Sequence, residues 1–88
     1  MKFLPKLRDF LREHRMIYTV RGYDMKPAWV DVEDIGRCRR TPLGRIHSRL
    51  HLEPYVCLSG FPDVESWWSK IEEFCYGGDM WLYRIEVR

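Results

Sequence analysis

The sequence predicts an α+β fold, a small curved sheet or partly closed β-barrel with two flanking helices. Two segments place apolar residues at helical spacing, and five others carry the alternation or the β-branched and aromatic composition of strands. Their order is helix, strand, strand, hairpin, helix, strand, which suits a single sheet with helices at its ends. At 88 residues, 45% of them hydrophobic, the chain fits one domain spanning 1–88. A chain of this length buries about 60 to 68% of its unfolded surface around one core.

Phe3, Leu7, Phe10 and Leu11 recur at helical spacing among Lys6, Arg8, Arg12 and Glu13, predicting an amphipathic helix over 4–14. Pro5 is tolerated in its first turn. Met16–Val20 (MIYTV) predicts a strand, followed by a turn at Gly22 and a loop ending at Pro27. Ala28–Val32 (AWVDV) is the next short strand. From Ile35 the segments IGRCRR and RIHSRLHL predict two strands of a hairpin, with Pro42 and Gly44 in the turn between them. Pro62, Asp63 and Glu65 suit the first turn of a second helix, whose stripe is Val64, Trp67, Trp68, Ile71, Phe74 and Cys75 and whose stop is Gly77-Gly78. Met80–Arg88 alternates, with Trp81, Tyr83, Ile85 and Val87 facing one way, as a half-buried last strand.

The opening MKFLPKLRDFLREHR interrupts its apolar residues with charge too often for a signal peptide or a membrane span, so a soluble cytoplasmic protein is expected. Cys38, Cys57 and Cys75 form no C-x-x-C pair, and buried free thiols are the default expectation. The net charge of +2 conceals a division. Residues 1–51 hold 12 Lys/Arg against 6 Asp/Glu, whereas residues 52–88 hold 3 against 7.

Between Ile35 and His51 lie Arg37, Arg39, Arg40, Arg45 and Arg49, with His47, His51 and no acid. The planar guanidinium meets phosphate oxygens bidentately, which points the segment at nucleic acid or another polyanion. On strands, Arg37 and Arg39 share a face, as do Arg45, His47, Arg49 and His51, while Arg40 points away from Arg39. The competing reading is a solvated hairpin whose arginines pair with carboxylates of the second helix. Most of the thirteen aromatic residues sit at core spacing, but Tyr23 and Tyr55 fall in loops where a ring is free to stack on a base. Trp67 and Trp68 read as core. Glu65, Glu72 and Glu73 read as a solvated face.

Other chemistries find little support. His47 and His51 on one strand stand about 13 Å apart, too far to share an ion, so no metal is expected. No nucleophile elbow, phosphate loop or dinucleotide fingerprint is present, and no cofactor is expected.

Tyr18-Thr19-Val20-Arg21 after a leading helix, Ser59-Gly60-Phe61 before a helix starting near Asp63, and the last strand Leu82–Val87 together resemble the ASCH domains of the PUA-like superfamily. The likeness covers residues 16–88, with 1–15 as the leading helix. It implies a small PUA-like barrel with a cleft for RNA or a modified nucleobase, marked by Thr19 and Arg21. Some ASCH proteins are amidohydrolases on N4-acetylcytidine that use a lysine, a threonine and a glutamate. Here Met16 and Ser59 stand where the lysine and glutamate are expected, which favours binding over catalysis.

The sequence therefore predicts a non-catalytic RNA- or nucleic-acid-binding module, with Thr19, Arg21 and Tyr23 at the cleft and the five arginines along its rim. Five duplex phosphate contacts imply a loss of several hundredfold between about 50 and 200 mM salt. The alternatives are an amidohydrolase and a protein-interaction subunit.

Overall fold

The computed structural model describes residues 1–75 and 78–88. Helix α1 spans Pro5–His14 and ends at Arg15, whose left-handed backbone (φ 67°) turns the chain into strand β1, Met16–Arg21. Strand β2, Ala28–Val32, and strand β3, Gly36–Ile46, form a hairpin. Its turn closes when the Ile35 N–H donates to the Val32 carbonyl at 3.0 Å. A 3₁₀ segment, Arg49–Leu58, leads to helix α2, Val64–Phe74, and the chain returns as strand β4, Met80–Val87.

The four strands form one antiparallel sheet in the order β1-β4-β3-β2. It is open, with β1 and β2 as free edges, so the barrel alternative is not realised. The α+β class, the strands at 16–20 and 28–32 and both flanking helices agree with expectation. Gly77, half of the expected helix stop, lies outside the described residues.

The expected hairpin centred on Pro42 and Gly44 does not form. The chain runs straight through them as one long strand, because β4 pairs with β3 from Cys38 to Ile46. Pro42 faces Tyr83 and Gly44 faces Leu82, which leaves Leu43 as an extra residue in a β-bulge. Gly44 supplies the positive φ of 125° there. The second expected hairpin strand is also replaced. Its residues beyond Ser48 wind into the 3₁₀ segment, which buries Leu52 and leaves Leu50 exposed.

Both sheet faces are covered by apolar layers. Leu7, Phe10 and Leu11 of α1 pack on Ile17, Tyr83 and Ile85, with Val32 and Cys38 completing that layer. On the opposite face, Trp67 and Ile71 of α2 pack with Leu52, Ile46 and Leu82. Trp68 is half-buried against the same layer, in keeping with a core role. The three cysteines are free thiols. Cys38 is buried, Cys75 is half-buried, and Cys57 departs from expectation by being exposed. Among the described residues, no helix is long and apolar enough to cross a membrane.

Candidate functional site

The register sorts the arginines between the two faces. Arg37 lies opposite Asp31 and Arg39 opposite Trp29, on the face that α2 leaves uncovered toward β2. Arg40 lies opposite Ala28 and Ile85, on the α1 face. Its guanidinium donates from Nε and Nη2 to the Lys26 carbonyl at 3.2 and 3.0 Å. The bulge then returns Arg45 to that same face, opposite Trp81, where its guanidinium lies over the Trp81 ring and pairs with Asp79. Arg49 sits in the 3₁₀ segment and pairs with Glu65 of α2 at 2.8 Å.

The five expected rim arginines therefore do not form one stripe. Arg49 is held by a helix carboxylate, Arg45 by the loop acid Asp79, and Arg40 by a carbonyl. Arg37 and Arg39 are exposed and form no ion pair among the described residues.

Beside Arg39 stands a residue that sequence reasoning assigned only to a strand. Trp29 is 47% exposed, and the Arg39 guanidinium carbon lies 5.8 Å from its ring centroid. Trp29, Arg37 and Arg88 line a concavity of about 280 Å³. The signal was present in AWVDV: Ala28, Val30 and Val32 point to the core, which puts Trp29 beside Asp31 on the solvent face.

Thr19, Arg21 and Tyr23 are brought together elsewhere. They line a cavity of about 630 Å³ at the free edge of β1, between the start of α1 and the second half of α2. Thr19 is 8% exposed at its floor, whereas Tyr23 is 71% exposed at its mouth. Arg21 lies over the Phe3 ring at 4.8 Å and donates from Nη2 to the Lys2 carbonyl at 2.9 Å. Its buried Nε has no hydrogen-bond partner among the described residues. Burial draws the Arg21 guanidinium below its ordinary pKa, opposed by Cys75 and Tyr23 nearby. Burial likewise pushes the Cys75 thiol up, against the pull of Arg21. Lys2 and Lys70 also line this cavity, and neither was singled out in the sequence.

Several smaller expectations change. Tyr55 is not a free stacking ring, because it packs edge-on against Tyr18 at 4.9 Å. The His47 and His51 rings lie 5.7 Å apart, since His51 is on the 3₁₀ turn and its Nδ1 accepts the His47 N–H at 3.1 Å. Among the described residues, no cluster of three His, Cys, Asp or Glu is placed to hold a metal. Ser59 is 1% exposed and ties its loop together: its hydroxyl donates to the Val56 carbonyl at 2.7 Å and accepts the Phe61 N–H at 3.1 Å.

No family model matches the sequence, and no curated protein or solved structure matches it.

Proposed function

We propose that this chain is a small non-catalytic module that binds single-stranded nucleic acid, RNA in particular, on the open sheet face around Trp29. The observation that carries this reading is the half-exposed indole facing Arg39, with Arg37 next along the same face, both arginines exposed and without ion-pair partners among the described residues. A base stacks on the free part of the ring, and Arg37, Arg39 and Arg88 reach the phosphates on either side. The acid-free composition of residues 35–51 and the ASCH-like motifs lend support from the sequence.

With three phosphate contacts on a single strand, at a slope of about −0.7 per contact, affinity is expected to fall about 20-fold between roughly 50 and 200 mM salt. Fluorescence anisotropy with a labelled ten-nucleotide oligouridine measures this. Trp29→Ala is expected to weaken binding by at least about fivefold, the low end of stacking on one base. An oligodeoxyuridine of the same length shows whether the 2′-hydroxyl is read. Affinity indifferent both to salt and to Trp29→Ala would sink the proposal.

A further inference from the structure

The cavity at β1 has a floor that a simple hydrophobic cleft lacks, because it is a free strand edge. Among the described residues β1 pairs with β4 alone, which leaves its outer side open. Near Ile17 that side is closed by the loop at Gly60, so close that a Cβ there would stand 3.6 Å from the Ile17 Cδ1 and 2.6 Å from the Leu7 Cδ2. From Thr19 to Gly22 it opens into the cavity. In an antiparallel strand, alternate residues direct N–H and C=O away from the paired neighbour. Beyond the ladder to β4, no main-chain group of residues 19–22 has a hydrogen-bond partner among the described residues.

The walls are apolar and the fixed charge is positive. Phe3 and Leu7 face the groove from the α1 side, and Phe61 and Ile71 from the α2 side. Leu4, Tyr23 and Phe74 also line it, and these are three of the large apolar residues that the fold leaves exposed, at 41, 71 and 64%. Lys2, Arg21 and Lys70 bring three cations, of which Lys70 is shared with Glu73 at 3.3 Å, while the acid in the lining, Asp79, is already paired with Arg45. The Arg21 Nε adds a buried donor without an acceptor among the described residues.

We propose that this groove accepts an extended acidic-and-apolar peptide segment of a partner protein as a fifth strand beside β1. Its main chain completes the edge hydrogen bonds, its apolar side chains fill the space between the helices, and an acidic side chain meets Arg21 with Lys2 or Lys70. Four residues of floor run about 13 Å, the reach of a short strand. The groove flanks β1 and the Trp29 platform flanks β2, so the two sites occupy opposite edges of the sheet.

The test is a fluorescence-anisotropy titration with three labelled eight-residue peptides. The first alternates valine and glutamate. The second alternates valine and lysine. The third repeats the first with every second backbone amide N-methylated, so that side chains and charge remain but edge pairing is blocked. Saturable binding of the first peptide is expected, at least tenfold tighter than either of the others. Arg21→Met and Lys70→Glu should each weaken it at least fivefold, with unchanged circular dichroism showing that the fold persists. Lys70 sits half-buried on the α2 wall of the groove, away from Phe3, so its variant tests the charge even if Arg21→Met disturbs the packing on Phe3. Equal binding of the N-methylated peptide, equal binding of the lysine peptide, or no saturable binding of the first would each overturn the proposal. Oligouridine at saturating concentration should leave peptide affinity unchanged, and competition would contradict the separation of the two sites.

Discussion

Single side chains hold the loops that define both sites. Tyr83 is fully buried, and its hydroxyl donates to the Tyr23 carbonyl and accepts the Met25 N–H at 2.6 Å. That pair of bonds fixes the β1–β2 loop, and with it the position of Tyr23 at the groove mouth. Tyr83→Phe leaves a donor and an acceptor without their partner, so a loss of about 1–3 kcal/mol is expected. Faster amide exchange at Met25 would locate the effect in the loop. Gly60 is the second such position, with φ at +85° and a Cβ site crowded against Leu7. Gly60→Ala is expected to cost about 1–3 kcal/mol, read as a drop of roughly 5–20 °C in the thermal midpoint. The sequence made Gly60 legible as a helix approach, but not its contact with α1, since nothing local to Ser59-Gly60-Phe61 reports a residue fifty positions away.

Among the elements, those whose signals are local were legible. α1 and α2 follow from apolar spacing, and α2 is further marked by Asp63, whose side chain accepts the Ser66 N–H at 2.7 Å. That main-chain bond, reinforced by the Ser66 side chain, holds the Asp63 carboxyl below its usual pKa. A carboxylate whose pKa is lowered by folding stabilises fully above its unfolded value, about 3.9 for aspartate, and loses that contribution as pH falls through the folded value. Asp63→Ala is therefore expected to melt lower than the native chain at neutral pH, with a gap that narrows below about pH 4. Thermal melts across pH 2.5 to 7 check this. The first part of β3 was legible in IGRCRR, but its run through Pro42-Leu43-Gly44 was not, because that stretch has the composition of a turn and the pairing that keeps the strand straight comes from β4, nearly forty residues on. The alternation in RIHSRLHL misled for a related reason: Leu52 reaches the core from a 3₁₀ turn instead of a strand.

The whole molecule is a sheet between two apolar layers, with a radius of gyration of 12.0 Å. The scaling for a compact chain of this length gives about 12 Å. The basic first half and acidic second half meet in the Arg49–Glu65 and Arg45–Asp79 pairs, so much of the charge division legible in the sequence is neutralised on folding. What survives is local, at Trp29 with Arg37 and Arg39, and at Arg21 with Lys2. Spacing gives the shared face of Arg37 and Arg39 and the outward side of Trp29, but not the meeting of the two strands' residues nor the gathering of Arg21 with Lys2, which come from separate elements. The two groupings stand at opposite edges of the sheet, and the bulge at Leu43 decides which face the end of β3 presents. Strand residues alternate sides like odd and even numbers, and one uncounted residue changes the parity of all that follow it. Leu43 goes uncounted, so Ile46 falls opposite Met80 inside the core and Arg45 joins Arg40 on the α1 face. Removing Leu43 is thus expected to leave this arithmetic intact and yield a folded chain with Ile46 still protected from amide exchange. An added residue between Gly44 and Arg45 shifts the count by one, and is expected to send Ile46 to the wrong side of the sheet and unfold the chain.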